Sequence, residues 1–176
     1  MTIPNLITLA RFLMVPAVIY ALLLGAMMPA FVIFVIAGIS DAVDGFIARQ
    51  FNQHSELGSY LDPIADKLLL VTVFIMLAIL GFLPQWLVVL VVSRDVLIVI
   101  AVIISSLMGR PVEVNPLFVS KANTACQIAL AAVVLAELAF NTAFGDLRLI
   151  LVYTVAVLTI LSAGAYLKVW VDHMAS

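Results

Sequence analysis

Residues 40–67 read SDAVDGFIARQFNQHSELGSYLDPIADK, and long apolar segments flank this stretch on both sides. The stretch contains four aspartates, Asp41, Asp44, Asp62 and Asp66. A carboxylate in a membrane-embedded helix is energetically costly, so acids in such positions usually have a function. The placement of these four side chains therefore bears on both the fold and the chemistry of the chain.

The composition indicates a membrane protein. Of the 176 residues, 66% are hydrophobic and only 10% are charged, whereas soluble domains contain about 45–50% apolar and about 25% charged residues. A soluble core does not account for this excess, so we expect a polytopic membrane protein. The absence of a basic run argues against a nucleic-acid partner. The single cysteine, Cys126, excludes an internal disulfide.

Six hydrophobic windows predict six transmembrane helices. They fall at about 6–28, 30–50, 59–82, 84–108, 118–140 and 146–171. Each window is long enough to cross a hydrocarbon core of about 30 Å at about 1.5 Å per residue. The connections are short and contain Pro, Gly and Asn, so neighbouring helices should be antiparallel. We expect an all-α membrane bundle that forms a single domain over residues 1–176.

The cationic residues predict how this bundle is oriented. Arg148 falls toward one membrane side and Arg94 near the middle of the fourth window. The other six fall toward the opposite side: Arg11, Arg49, Lys67, Arg110, Lys121 and Lys168. The positive-inside tendency makes that side cytoplasmic, with both termini there. We expect a bacterial inner membrane, or a mitochondrial inner membrane with this side facing the matrix, and the four aspartates near the same side.

The spacing of the aspartates predicts a shared pocket. Asp41 and Asp44 are three residues apart and Asp62 and Asp66 are four apart, so each pair occupies one face of its helix. If the two helices form a hairpin, the four carboxylates face one another. They would repel unless some are protonated or cations neutralise them. Oxygen ligands without cysteine favour Mg²⁺ or Mn²⁺, and four carboxylates suffice for two such ions, an arrangement suited to displacement at phosphorus.

Two further residues of the stretch fit a phosphate ligand. Gly45 leaves room for a ligand to approach the backbone. Arg49, one turn further along the same helix, could bind a phosphate. Each also has a structural interpretation, because glycine is common where membrane helices pack and a terminal arginine is common at the cytoplasmic boundary.

The complete pattern is Asp41-x2-Asp44-Gly45-x2-Ala48-Arg49-x8-Gly58-x3-Asp62-x3-Asp66. It resembles, without a mismatch, the characteristic motif of the CDP-alcohol phosphotransferase family. The resemblance implies a six-helix membrane fold that is usually dimeric, with a site for two divalent metal ions. It also implies an activity, the displacement of CMP from a CDP-linked lipid by an alcohol.

The resemblance assigns a role to each matching position. Asp41 and Asp62 resemble carboxylates that bridge both metal ions, whereas Asp44 binds one ion and Asp66 the other. Asp66 also resembles the general base that accepts the proton of the attacking hydroxyl. The positions that resemble the nucleotide site are Asn5, Thr8, Gly45, Arg49 and Ser55, and Arg11 is expected to reinforce this site.

The second half of the chain indicates a branch of the family. The segments SRDVLIVIAV from Ser93 and FVSKANTACQ from Phe118 resemble the eukaryotic-type CMP-forming cardiolipin synthases. The phosphatidylglycerophosphate synthases share the first half but usually carry Arg-Glu in place of Arg94-Asp95. This resemblance implies CDP-diacylglycerol as donor and favours phosphatidylglycerol over glycerol 3-phosphate as acceptor.

The acceptor is an anion in either case, so cations of the second half are candidates for holding its phosphate. These are Arg94, Arg110 and Lys121, and Asp95 is expected to orient Arg94. Their structural interpretations are an ion pair for Arg94 and snorkelling to the interface for the other two.

Other classes of membrane protein also place acids in the bilayer. A cation-coupled transporter would have discontinuous helices near the midplane and repeats, which the sequence lacks. A prenyltransferase would need two separate acidic motifs, and the sequence has one cluster. A lipid-binding protein without activity would have lost a motif residue, and none is missing.

Overall fold

A computed structural model describes residues 3–51, 56–108 and 117–175, with side chains described for 10–40, 67–101, 103–105, 107–108 and 117–173. Six α-helices account for nearly all of these residues, and the described ranges contain no strand. In chain order the helices are α1 (Ile3–Leu23), α2 (Met27–Phe51), α3 (Glu56–Ile79), α4 (Gln85–Leu107), α5 (Phe118–Phe140) and α6 (Asp146–Ala175). The predicted all-α architecture with six helices is confirmed.

Glycines end the first and third helices. Gly25 has φ +70°, and the amide of Ala26 donates to the carbonyl of Ala21 at 2.9 Å, while that of Gly25 donates to Leu22 at 3.1 Å. This pair of hydrogen bonds around a left-handed glycine is a Schellman cap. Gly81, with φ +81°, ends α3 in the same way through Phe82 and Leu77. As a result α1 ends five residues before the predicted boundary at 28.

By its internal contacts the chain divides into two compact units. The first unit comprises Met1–Phe82 and Ala131–Phe144, and the second comprises Leu83–Leu130 and Gly145–Ser176. In the first unit α1 packs against both α2 and α3, over buried residues such as Val18, Leu22 and Phe74. The rings of Phe31 and Phe140 meet edge to face with centroids 5.6 Å apart. A single domain over the whole chain stays a prediction.

In the second unit α4 packs against α6. Leu87, Val91 and Val155 are fully or almost fully buried in this unit. The rings of Trp86 and Tyr153 lie 6.5 Å apart. Further along the same helix pair, the indole Nε1 of Trp170 donates to Ser105 Oγ at 2.9 Å and to the carbonyl of Ala101 at 3.2 Å. These contacts hold α4 and α6 together along most of their length.

The outward surfaces of the helices are apolar. Large apolar side chains are exposed along α4 and α6, including Val89, Leu97, Ile103, Leu149, Ile160 and Leu167. A soluble protein rarely exposes so many large apolar side chains along its helices, whereas lipid tails accommodate them. Within the searched part of the chain, three helical segments are long and apolar enough to cross a membrane: Gln85–Ser105, Phe118–Phe140 and Asp146–His173. Shorter apolar segments occur at Ala10–Leu23, Met27–Ser40 and Lys67–Ile79. The chain is thus an integral membrane protein, and the number of six spans stays a prediction.

Candidate functional site

The four aspartates are carried by two helices of the first unit. Positions 41 and 44 lie inside α2 and positions 62 and 66 inside α3. The helical spacing on which the predicted pocket depends is therefore present in the backbone. Both helices pack against α1. The side chains of these aspartates lie outside the described residues, and so does the predicted arrangement in which they face one another.

The chemistry of this donor set fits Mg²⁺ or Mn²⁺, because four carboxylates supply the hard oxygen ligands that both ions prefer. Among the side chains that the structure does describe, His, Cys, Asp and Glu form no group of three or more able to hold a metal ion. The metal assignment of Asp41, Asp44, Asp62 and Asp66 stays a prediction.

Arg11 is a buried cation in the first unit. Its side chain is only 1% exposed, and it belongs to α1, the helix that contacts both aspartate-bearing helices. A charge removed from water is tolerated when opposite charge or hydrogen-bond acceptors compensate it. The burial of Arg11 therefore places a cation in the interior of the same unit as the four acids, and its part in the nucleotide site stays a prediction.

The residues predicted for the nucleotide site belong to the same unit. Asn5 and Thr8 lie in α1 and Gly45 and Arg49 in α2. Ser55 and the side chains of the other four lie outside the described residues. Their assignment to the nucleotide stays a prediction.

The second unit contains a polar cluster formed by Arg94, Asp95, Ser120 and Ser162. Arg94, in α4, is only 4% exposed. Its Nη2 donates to Ser120 Oγ of α5 and to Ser162 Oγ of α6, both at 2.6 Å. Its Nε also donates to Ser162 Oγ at 3.2 Å, and its Nη1 donates to Asp95 Oδ1 at 2.6 Å. One guanidinium thus connects three helices, and the expected pairing of Asp95 with Arg94 is present.

Further polar groups extend this cluster. The Tyr166 ring lies under the guanidinium of Arg94, with 5.4 Å from Cζ to the ring centroid. One turn along α5 from Ser120, Asn123 is fully buried and accepts a hydrogen bond from Thr159 of α6 at 3.1 Å. Within the described residues Asn123 Nδ2 has no hydrogen-bond partner. Polar side chains therefore meet between α5 and α6 next to Arg94.

The three cations predicted to bind the acceptor differ in their surroundings. Arg94 is buried and engaged by protein groups. Lys121 is exposed in the first turn of α5, and Arg110 lies outside the described residues. Ser120 and Ser162 are not among the residues that the sequence predicted for a site. The spacing of Ser120, Asn123 and Gln127 along one helix face is a signal that could have indicated the first, whereas an isolated serine in α6 gives none.

Comparison with known proteins decides the family. The sequence model described as CDP-alcohol phosphatidyltransferase matches residues 1–161. The chain belongs to this family. Among its curated relatives, the CMP-forming cardiolipin synthase of Rattus norvegicus is 36% identical over 181 residues, which cover 94% of this chain and 60% of that protein.

Two other family members are similar to comparable degrees. The CMP-forming cardiolipin synthase of Homo sapiens is 35% identical, again over 94% of this chain and 60% of that protein. The chloroplastic CDP-diacylglycerol–glycerol-3-phosphate 3-phosphatidyltransferase 1 of Oryza sativa subsp. japonica is 35% identical over 159 residues, covering 81% of this chain and 48% of that protein. The chain spans about 60% of the length of the rat and human relatives.

Proposed function

We propose that this chain is a CMP-forming cardiolipin synthase. It would transfer the phosphatidyl group of CDP-diacylglycerol to a hydroxyl of phosphatidylglycerol and release CMP. The observation that carries this proposal is the 36% identity to a CMP-forming cardiolipin synthase across 94% of the chain, together with an uninterrupted aspartate motif. The second candidate is phosphatidylglycerophosphate synthesis from glycerol 3-phosphate, which the 35% identity to the rice enzyme favours.

We further propose that all six helices cross the membrane and that the chain forms a homodimer. The first three helices contain 21, 25 and 24 residues, which at about 1.5 Å per residue is long enough to cross a hydrocarbon core of about 30 Å. The crowding of cations toward one side supports an active site facing the cytoplasm, or the matrix in a mitochondrion. The family resemblance supports the dimer.

Asp41, Asp44, Asp62 and Asp66 would hold two divalent cations, Mg²⁺ or Mn²⁺. Two such ions, when bound, neutralise a diphosphate and polarise the phosphorus that is attacked. Donor binding, acceptor binding and proton transfer are carried out by side chains of the protein. Asn5, Thr8, Gly45, Arg49 and Ser55 would hold the CDP group of the donor.

The transfer itself needs one base and a bound acceptor. Asp66 accepts the proton of the primary hydroxyl of phosphatidylglycerol. The hydroxyl oxygen then forms a bond to the phosphorus that bears diacylglycerol, and the bond from that phosphorus to the oxygen of CMP breaks, so that CMP leaves with the electron pair. Arg94, Arg110 and Lys121 are the cations assigned to the phosphate of the acceptor, and they bind or position it. No covalent enzyme intermediate is required.

An acceptor assay tests this function. Purified protein in detergent or proteoliposomes receives CDP-diacylglycerol and Mg²⁺ or Mn²⁺, with either phosphatidylglycerol or glycerol 3-phosphate, and the lipid products are identified by mass spectrometry. We expect cardiolipin and CMP with phosphatidylglycerol and no phosphatidylglycerophosphate with glycerol 3-phosphate. Product with glycerol 3-phosphate alone would overturn the choice of acceptor, and a parallel reaction with EDTA provides the metal-free control.

A further inference from the structure

We infer that Arg94 is a positioning residue, whose guanidinium fixes the first turn of α5 so that the exposed Lys121 is held ready to bind the phosphate of the acceptor. The inference rests on the proposed function for the identity of the acceptor. It concerns only residues of the second unit.

The hydrogen bonds of Arg94 leave little capacity for a ligand. A guanidinium has five N–H groups, and the four hydrogen bonds to Ser162, Asp95 and Ser120 use four of them. The carboxylate of Asp95, at 2.6 Å, also balances the charge of the guanidinium. With 4% exposure, Arg94 is engaged on nearly every side by protein groups, which is typical of a structural connection between helices.

The hydrogen bond from Arg94 to Ser120 lies at the start of α5. Ser120 is the third residue of this helix, and the carbonyl of Leu117 accepts hydrogen bonds from the amides of both Ser120 and Lys121, at 2.9 and 3.2 Å. Thr124 Oγ1 donates to the carbonyl of Ser120 at 3.2 Å. The backbone of Lys121 is therefore tied to that of Ser120, and Ser120 is tied to α4 and α6 through Arg94.

Lys121 has the properties that Arg94 lacks for binding an anion. It is exposed and carries a compact charge on a flexible stem. A flexible side chain binds a phosphate more tightly when its backbone is already fixed, because less conformational freedom is lost on binding. The rigid first turn of α5 supplies this fixed backbone, so the buried arginine would act on the acceptor through the exposed lysine.

The variant Ser120→Ala tests this role because it removes the hydrogen bond at α5 and keeps the charge of Arg94. We expect the KM for phosphatidylglycerol to rise about fivefold or more, while kcat and the KM for CDP-diacylglycerol stay within about twofold, since only acceptor binding is weakened. Arg94→Lys should reproduce this pattern, because the single nitrogen of lysine cannot occupy the separate positions of Nε, Nη1 and Nη2 that reach Ser162, Asp95 and Ser120. In a Lys121→Ala background, Ser120→Ala should have no further effect on the KM for phosphatidylglycerol.

Ser105→Ala is the matched control. Ser105 is a fully buried serine of α4 that also connects α4 to α6, through the indole of Trp170 at 2.9 Å. We expect this variant to lower thermal stability to a degree similar to Ser120→Ala and to leave the KM for phosphatidylglycerol unchanged. A rise in that KM equal to the rise for Ser120→Ala would show a general effect of instability and would overturn the proposal.

The competing role, direct binding of the acceptor by Arg94, predicts different results. Ser120→Ala would then leave the KM for phosphatidylglycerol unchanged, or it would lower this KM. Either result overturns the proposal.

If the wild-type protein uses neither acceptor, the proposed function fails. The hydrogen-bonded connection between Arg94 and Ser120 is then tested by thermal unfolding alone. The losses in Tm of Arg94→Lys and Ser120→Ala should be non-additive, and additive losses would refute the connection.

Discussion

A base that works beside metal ions has its basicity lowered by those cations, so its position matters more than its strength. Position 66 lies inside α3, one helical turn beyond position 62. The helix therefore fixes the backbone of Asp66 relative to that of Asp62, the proposed bridging aspartate. Replacing the carboxylate of Asp66 by an amide removes both a metal ligand and the proton acceptor and changes the size of the side chain very little.

We expect Asp66→Asn to lower the rate of CMP release at least about 100-fold, the lower end of the contribution of a general base. Helical content by circular dichroism and elution from a sizing column should match the wild type. Asp172→Asn is the control, because Asp172 is an exposed aspartate near the end of α6, and it should retain full activity. Wild-type turnover by the Asp66 variant would remove this residue from the mechanism.

At the scale of residues, the sequence predicted the helical positions of the four aspartates, which lie in α2 and α3, and their role as metal ligands stays a prediction. Asp41 and Asp44 fall in one apolar window and Asp62 and Asp66 in the next, at helical spacing, so the sequence alone indicates that all four lie on helices. The pairing of Arg94 with Asp95 could be expected because the two are adjacent. The hydrogen bond between Arg94 and Ser162 joins residues 68 positions apart, and no local pattern predicts a contact that depends on how α4 and α6 pack.

At the scale of helices, the ends of α1 and α3 depend on glycines with positive φ. Gly25 has φ +70° and nothing within 4 Å of a hypothetical Cβ, so space is available and only the backbone conformation disfavours a side chain. Gly38 lies inside α2, also with nothing within 4 Å of a Cβ, and its φ is that of a helix. The same substitution should therefore have opposite effects at the two positions.

Gly25→Ala is expected to lower the free energy of unfolding by about 1 kcal/mol, since an L-residue in the left-handed region is strained. Gly38→Ala is expected to leave it unchanged or to raise it by about 0.5–1 kcal/mol, because alanine favours the helix. Denaturant titration in mild detergent, followed by circular dichroism, measures both. The left-handed turn at Gly25 would be contradicted if Gly25→Ala left the free energy of unfolding unchanged, or lowered it less than Gly38→Ala does.

The sequence predicted the helices themselves because each is a long apolar segment bounded by turn residues. The bounds of α5, Phe118–Phe140, coincide with the predicted window. A turn begins at Asn141, directly after the helix, and the sequence before Phe118 contains polar residues. The predicted end of α1 lies five residues beyond the observed one, because the apolar run continues through Met27 and Met28 and hydropathy carries no information on the backbone conformation of Gly25. The packing of α1 against α2 and α3 could not be predicted, because helices that are apolar on all sides carry no periodic signal for a neighbour.

At the scale of the whole molecule, the distribution of charge predicts a topology. In the six-span arrangement the turn between α5 and α6 faces one side of the membrane and the end of α6 faces the other. Thr142 lies in that turn and Asp172 near the end of α6, and both are exposed. The 30 residues of α6 are long enough to separate them by the full thickness of a bilayer.

Labelling with a membrane-impermeant maleimide tests this topology. In a Cys126→Ala background, Thr142→Cys should react in intact cells or right-side-out vesicles, whereas Asp172→Cys should react only after the membrane is opened. This outcome follows from the positive-inside tendency. Reaction of both cysteines from the same side would show that α6 does not cross the bilayer.

The central claim is that the acids of α2 and α3 together bind divalent cations. Binding of Mn²⁺ to the purified protein, measured from the free-ion signal in electron paramagnetic resonance, tests this directly. We predict about two ions per wild-type chain, as a paired site requires, and a loss of binding in Asp62→Asn, with Asp172→Asn unchanged. Equal binding by the wild type and the Asp62 variant, or no binding by the wild type, would contradict the account.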